Sequence, residues 1–317
     1  MNIVILGYTG SIGNSILDSL VKNTFLNLVC VGRNIENKPY KSTKIKYIKW
    51  NFSSFKNFNL LFLKKANVII NCTGKADNSS NNLENINVIF IKKLLKYINT
   101  YKLKVRLIHL GSVAVYGESI SYLDRYKLIN ENSVIKVNNL YSKSKLKGDL
   151  LIKNINKKNL NKNFSFTILR ISNVFGGKQK SNLFKFLMFS LKFRFWIKSH
   201  NDTLFNFVNV KDVSQAVMLV IANLKVSKNK TYIVSDDCKQ NQLYKNYQIF
   251  FKKKIKNIHI PLSFIKFLIK FLPLPKKLKN FTMIISSRVS YSNKKITKEL
   301  NFNPKFSILK KIKYLNE

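Results

Sequence analysis

Tyr141 and Lys145 stand four residues apart, and a phenol and an ammonium at that spacing can do acid–base chemistry. On a helix they lie one turn apart on the same face. A phenol titrates near 10, so working near neutral pH needs roughly 4 kcal/mol of help. One ammonium at ~4 Å supplies about that much in an effective dielectric of ~20. The spacing alone is weak evidence. With 14 tyrosines and a large lysine excess, chance yields about two such pairs, and the sequence has three, at Tyr40/Lys44, Tyr141/Lys145 and Tyr291/Lys295. Context selects the middle pair. It opens a helical pattern, Tyr141–Ile155, and follows an apolar strand-like run, Val105–Leu110, that leads to a candidate hydroxyl at Ser112.

A second chemical cluster opens the chain: Gly7-Tyr8-Thr9-Gly10-Ser11-Ile12-Gly13. It follows a short apolar run, Ile3–Leu6, and precedes a helical pattern, Ile12–Val21. Glycines belong where the turn is tight and backbone must approach a pyrophosphate, and the helix start adds free N–H groups and partial positive charge. Gly7, Thr9, Gly10, Ser11, Ile12 and Gly13 are therefore expected to cradle a dinucleotide. A carboxylate after the second strand would take the adenosine ribose of NAD. Val31-Gly32-Arg33-Asn34 has none there. A guanidinium at that point suits a 2′-phosphate, so Arg33 favours NADP, with NAD as the alternative.

These residues need elements to hold them. Ile3–Leu6, Leu28–Val31, Val68–Asn71, Val105–Leu110 and Phe166–Arg170 are compact runs suited to strands buried on both faces. Helical spacing fills Ile12–Val21, Val88–Ile98 and Tyr141–Ile155. The alternation predicts an α/β fold with a doubly wound parallel sheet. Beyond Gly176 the pattern is less regular: a basic, aromatic helix-like stretch over Leu183–Trp196, a helix over Val210–Leu224, and a short strand at Tyr232–Val234. An amphipathic helix over Phe264–Leu272 is stopped by Pro273 and Pro275, and Asn154–Asn163 reads as a Lys/Asn-rich turn.

The chain has 317 residues, 45% hydrophobic and 13% aromatic, enough for a buried core and too apolar for disorder. The formal charge of +43 invites an anionic partner. Yet arginine occupies only six of the 57 basic positions, and lysine is spread along the whole length. Arginine is the preferred reader of bases and phosphates. The excess is therefore read as compositional, with no specific nucleic-acid partner and at most weak peripheral membrane contact. Cys30, Cys72 and Cys238 lie far apart, and with three scattered histidines no metal site is expected. A reducing cytoplasm fits. The opening Met-Asn-Ile-Val-Ile-Leu-Gly lacks a basic n-region, and no stretch reaches the ~18 apolar residues of a spanning helix, so neither signal peptide nor transmembrane segment is expected.

Several motifs together resemble the extended short-chain dehydrogenase/reductase family, the epimerase/dehydratase branch that includes UDP-glucose 4-epimerase-like enzymes. The Gly-x-x-Gly-x-x-Gly spacing is of that type. Gly111-Ser112-Val113-Ala114-Val115-Tyr116-Gly117 resembles its Ser-Ser-x-Ala-Val-Tyr-Gly segment, with Gly111 in place of a serine, a change expected to be harmless. Glu84–Val88 resembles its Val-Asn-Val-like helix, and Arg170–Gly176 its Arg-x-x-Asn-Val-Tyr-Gly. Phe207–Val213 resembles Phe-Ile-His-Val-x-Asp-Val, and Lys295–Pro304 resembles Lys-x-x-x-x-Leu-Gly-Trp-x-Pro. The resemblance covers essentially the whole chain. It implies a Rossmann-type domain over residues 1–173, also drawing on 205–235. A smaller, mixed C-terminal substrate lobe would take 174–204 and 236–317.

The resemblance implies that Tyr141 is the general acid/base, that Lys145 tunes it and holds the nicotinamide ribose, and that Ser112 orients the reacting hydroxyl or carbonyl. Asn51, Thr73, Gly74 and Asn87 are implied as further cofactor-binding residues. Ser112, Tyr116, Asn173 and Arg288 would contact a nucleotide-sugar. Phe205 stands where many members carry an arginine for the diphosphate, a role left to Lys192, Arg194 or Arg288. The dehydratases carry Thr-Asp-Glu where this sequence has Ser112-Val113-Ala114, which argues against elimination. Two reactions remain, reduction of a 4-keto sugar and epimerisation at C4; Arg33 and the compact C-terminal lobe favour the reductase. A homodimer is compatible with either. A reading of another class is a relic fold whose basic surface holds RNA or a membrane; the intact Ser112, Tyr141 and Lys145 speak against it.

Overall fold

The structure is a computed structural model, and it describes residues 1–35, 38–52, 60–74, 83–117, 126–157, 161–177, 182–198, 203–271 and 286–309. Seven parallel strands form the main sheet: β1 (Asn2–Leu6), β2 (Asn27–Gly32), β3 (Ile45–Lys49), β4 (Val68–Asn71), β5 (Val105–Ser112), β7 (Phe164–Ile171) and β11 (Lys230–Val234). Their spatial order is β11-β7-β5-β4-β1-β2-β3, so the winding direction reverses between β1 and β4. Such a reversal leaves a crevice outside the carboxyl ends of the strands.

Both faces of the sheet are covered, which explains why its strands read as unbroken apolar runs. Along β1, Ile3 and Ile5 enter one core with α1 (Ser11–Leu20) and α5 (Val210–Ala222). Val4 and Leu6 enter the opposite core, with α2 (Phe90–Thr100) and with Ile152 of α3 (Leu140–Lys157). The Rossmann-type, doubly wound parallel sheet expected from the sequence is present.

The smaller elements form a separate aromatic core. β10 (Leu204–Asn209) pairs parallel with β8 (Asn173–Phe175) and antiparallel with β12 (Asp236–Lys239). α4 (Asn182–Lys192) and α6 (Gln240–Phe251) pack Phe184, Leu187, Leu243 and Tyr244 against Phe175, Phe205 and Phe207. The parallel pair β9 (Phe195–Lys198) and β13 (Lys256–His259) adds Trp196 to it, whereas the parallel pair β6 (Lys127–Ile129) and β14 (Val289–Tyr291) packs Ile129 and Val289 with Val113, Val115 and Tyr116. Among the described residues the remaining α-helices are α7 (Leu262–Phe271) and α8 (Lys294–Leu300).

Two local expectations differ from the structure. Leu183–Trp196 is not one helix: α4 ends at Lys192, Arg194 takes a left-handed φ of 54°, and Phe195–Lys198 is a strand. Alternation of the buried Trp196 between half-buried Phe195 and Ile197 is a strand pattern that the dense aromatics hid. Asn154–Asn163 is not all turn either, since α3 continues to Lys157; residues 158–160, like Leu272, Pro273 and Pro275, lie outside the described residues.

Candidate active site

Four strand ends supply one cleft. It is lined by Gly10, Ser11, Ile12 and Gly13 after β1, by Cys72, Thr73 and Gly74 after β4, by Leu110, Gly111 and Ser112 of β5, and by Ile171, Ser172 and Val174 around the end of β7. Tyr141 and Lys145 of α3 close it. The three residues expected to do the chemistry therefore share a cleft with the glycine loop. A larger hollow of about 470 Å³ opens at the other ends of the strands, between Val21–Leu26 and Tyr40–Ile45. It contains none of the expected site residues.

The loop is shaped for a dinucleotide. Gly7 adopts a φ of +85°, and a Cβ on Gly13 would stand 2.3 Å from the Gly7 carbonyl oxygen, so both positions require glycine. A Cβ on Gly10 would meet only that same oxygen, at 3.5 Å, and otherwise open space. Gly10 is also the N-cap of α1 and offers no side chain to the first turn. The start of α1 lines the cleft, where a diphosphate would meet its first-turn N–H groups. These features fit the diphosphate of a dinucleotide at Gly7 to Gly13.

At the acidic position after β2, Arg33 is exposed and Asn34 accepts a 3.5 Å hydrogen bond from the Tyr8 hydroxyl. A Cβ on Gly32 would come within 2.8 Å of both Tyr8 and Thr9, so the strand end and the loop are fitted to one another. Asn51 lies two residues beyond β3, exposed.

The catalytic candidates are fixed from behind. Lys145 is buried and its Nζ donates to the Leu110 carbonyl oxygen at 2.8 Å, which ties the ammonium to the backbone two residues before Ser112. Ser112 ends β5, and its Oγ accepts from Ala114 N at 3.2 Å, leaving its proton free to be donated. Asn87 sits in a π-helical turn, Asn85–Ile89, and donates to Ser144 Oγ at 3.0 Å, while Ser144 Oγ donates to the Tyr141 carbonyl at 2.8 Å. Asn87 thus steadies the first turn of α3 and stands beside the cleft residue Gly74, where a Cβ would lie 3.7 Å from its Oδ1. Thr73 does line it, with its hydroxyl donating to Asn71 Oδ1 at 2.6 Å.

Beneath this surface lies a buried polar chain that sequence reasoning missed. Asn71 Oδ1 accepts from both the N–H and the hydroxyl of Thr73, so its amide nitrogen faces His109 Nδ1, 3.2 Å away. Nδ1 is then an acceptor and the ring proton sits on Nε2, 3.8 Å from Asp149 Oδ1. Asp149 Oδ2 accepts from Arg170 Nε at 3.0 Å, and Arg170 Nη1 donates to the Tyr116 hydroxyl at 2.7 Å. Burial, reinforced by the Lys145 charge, pushes His109 well below the usual histidine range and keeps it neutral. Burial raises the Asp149 carboxyl, against the opposing pull of Arg170. Burial likewise works against the Arg170 charge, but Asp149 and Tyr116 outweigh it and hold the guanidinium above its ordinary value.

This chain bears on two expectations. Tyr116 has no exposed surface and does not line the cleft; its hydroxyl accepts from Arg170. Glycine fits at Gly111, where a Cβ would stand 3.1 Å from Asp149 Oδ1 and 3.2 Å from Ile168, so a side chain there would press on the ion pair. Asp149 lies one helical turn after Lys145, a spacing that could have flagged it.

The other expected substrate contacts are more dispersed. Asn173 is exposed, flanked by the cleft residues Ser172 and Val174, and donates to the Asn206 carbonyl at 3.0 Å. Arg288 precedes β14, half-buried, outside the cleft lining. Phe205 is fully buried among Phe207 and Tyr244, so its position faces the aromatic core and not a diphosphate. Lys192 and Arg194 are exposed at the end of α4. Among the described residues no group of His, Cys, Asp and Glu could hold a metal ion.

The sequence matches the profile of the NAD dependent epimerase/dehydratase family over residues 3–235. A curated protein of Methanocaldococcus jannaschii, assigned by inference as a UDP-glucose 4-epimerase, is 26% identical over 183 residues; the match spans 56% of this chain and 57% of that protein's length. The fold is shared with UDP-glucuronic acid 4-epimerase from Bacillus cereus, solved with UDP-glucuronic acid and NAD (TM-score 0.74, 15% identity, 100% of this chain and 99% of that one). It is also shared with RMD from Pseudomonas aeruginosa, solved with NADPH (TM-score 0.70, 13% identity, 99% and 98%).

Proposed function

This chain belongs to the NAD-dependent epimerase/dehydratase family, and from that premise we propose that it moves a hydride at C4 of a nucleotide-activated hexose, as an NADPH-dependent 4-ketoreductase. The observation that carries the reading is the convergence of Ser112, Tyr141 and Lys145 on the glycine-loop cleft. When bound, the nicotinamide supplies the hydride. Ser112 then holds the substrate carbonyl oxygen by donating its free proton. The Tyr141 hydroxyl gives that oxygen a proton as the hydride reaches the carbon, so the ketone becomes an alcohol. Lys145, fixed by Leu110, keeps positive charge beside the phenol and presents donors towards the cofactor ribose. No carboxylate follows Ser112 in the turn Val113–Tyr116, which supports simple hydride transfer over elimination.

Exposed Arg33 at the end of β2 supports NADP, and RMD, which shares the fold, was solved with NADPH. A second reading, a nucleotide-sugar 4-epimerase using NAD, is favoured by the curated relative and by the B. cereus enzyme. In that case Tyr141 first removes the C4 hydroxyl proton and later returns it. One experiment separates them. The protein is incubated with 4-keto and 4-hydroxy nucleotide-sugars, and nicotinamide absorbance is followed alongside product stereochemistry. A reductase consumes NADPH mole for mole with a 4-keto sugar. Interconversion of C4 epimers without net nicotinamide change would replace the reductase with the epimerase. The division into a cofactor domain (1–173 with 205–235) and a substrate lobe (174–204 and 236–317) is part of the same proposal.

A further inference from the structure

Among the described residues, seven phenylalanines are more than half exposed, and six of them, Phe189, Phe193, Phe250, Phe264, Phe267 and Phe271, fall in the C-terminal lobe. The two segments that carry them, 182–198 and 240–271, contain eleven lysines and arginines and no aspartate or glutamate. A compositional lysine bias explains charge everywhere. It does not explain water-facing phenylalanines gathered in the acid-free part of the chain.

The geometry makes a surface of them. The Phe189 ring lies 4.6 Å from Phe193 and 5.7 Å from Phe195. Along β9, Phe195 and Ile197 share the face opposite buried Trp196, and parallel pairing places Ile258 of β13 beside Ile197 and exposed Lys256 beside Phe195. The chain then enters α7, where buried Ile265 faces the protein. Phe264, Phe267 and Phe271, spaced i, i+3 and i+7, form one exposed stripe, with 5.1 Å between the last two rings. Lys192, Arg194, Lys252 and Lys254, in the same two segments, are exposed, and Lys192 Nζ lies over the Phe193 ring.

We propose that this lobe docks on an anionic membrane surface, with the phenylalanines entering the headgroup region and the lysines meeting anionic lipid. Charge complementarity chooses the occupant. A self-complementary contact with a second copy would bring two basic, acid-free patches face to face, which repel. Nucleic acid is disfavoured because Arg194 is the single arginine in the two segments, and arginine is the residue that reads bases and clamps phosphate. Phenylalanine insertion also distinguishes docking from screened, nonspecific attraction, since apolar burial survives salt. The proposal stands apart from the reaction catalysed, because none of these side chains lines the cleft.

The test is co-sedimentation with phosphatidylcholine vesicles containing about 30 mol% phosphatidylserine, at ~0.15 M salt. The protein should pellet with them and not with pure phosphatidylcholine. Phe264→Ser/Phe267→Ser/Phe271→Ser should lower the partition coefficient on the order of 100-fold, and Phe189→Ser/Phe193→Ser, on other elements, should also lower it. Phe25→Ser, an exposed phenylalanine elsewhere, should change nothing. Retained nicotinamide-nucleotide affinity in the variants shows that they fold. Undiminished pelleting of both patch variants overturns the proposal. So does loss of all binding at that salt, lipid-free dimerisation that needs the patch, or oligonucleotide binding that exceeds vesicle binding and needs the patch.

Discussion

Replacing Arg170 with methionine removes one member of a fully enclosed ion pair. Arg170 and Asp149 are 2% and 0% exposed at their side chains, with Nε and Oδ2 3.0 Å apart. At an effective dielectric of ~20, unit charges at that distance attract by about 5–6 kcal/mol. Leaving one buried charge without its partner costs about 3–5 kcal/mol in practice. Tyr116 also loses the donor to its hydroxyl. We therefore expect Arg170→Met to lose ~4 kcal/mol of folding stability near neutral pH. Asp149→Leu combined with Arg170→Met should recover to within ~2 kcal/mol of the parent, because no orphan charge remains. The pH dependence has a definite sign. Burial already raises the Asp149 pKa above its ordinary value, and loss of Arg170, which pulls it down, raises it further. The folded state then favours the protonated acid, so the deficit of the single variant shrinks as pH falls and grows as pH rises. Urea unfolding followed by fluorescence of Trp50 and Trp196 measures all three. A single-variant loss below ~1 kcal/mol, or a double variant that loses the sum of the two singles, would refute the buried-pair account.

Arg33→Asp should reverse a preference for NADPH over NADH in binding titrations without changing stability, since Arg33 is exposed; tighter NADH binding by the parent would end the NADP assignment. Lys145→Met loses the ammonium and its bond to Leu110, so cofactor affinity should weaken by roughly 10–100-fold in addition to a fall in rate. Unchanged affinity would remove Lys145 from the cofactor site. The Asp237 carboxyl, which accepts from Tyr291 N at 2.5 Å and from Ser290 Oγ at 3.1 Å, is pushed up to about 6 by burial. Its raised value favours the protonated native state, so the stability of the parent relative to Asp237→Asn should fall as pH rises from about 4 to 7; a rise would reverse the sign and contradict the burial argument.

What the sequence made legible was whatever is encoded locally. Strands buried on both faces read as apolar runs, and the glycine loop is defined by three backbone positions within seven residues. Ser112, Tyr141 and Lys145 sit in short motifs whose neighbours position them, and the cleft unites them. Asn71 and His109 were not legible, because each is a lone polar residue on a separate strand, and the spacing of Asp149 to Lys145 went unread. Only the packing of β4, β5 and α3 brings them together. Tyr116 shows the converse. Its motif suggested contact with a ligand, but burial against Arg170 turned it inward. The Leu183–Trp196 stretch failed for a third reason: apolar residues too dense to show a period, with the break left to a left-handed arginine.

The most direct test of the account is single-turnover hydride transfer by Tyr141→Phe. The substitution removes one hydroxyl from a side chain at the mouth of the cleft, so folding and cofactor affinity should remain close to those of the parent. Nicotinamide absorbance is followed after mixing with a nucleotide-sugar that the parent converts. Tyr40→Phe, whose hydroxyl donates to Asp18 far from the cleft, and Tyr291→Phe are the controls, because both carry the same spacing to a lysine. The account predicts a ~10²–10⁴-fold fall for Tyr141→Phe and almost none for the controls. Full turnover by Tyr141→Phe, with the cofactor bound as before, would contradict it.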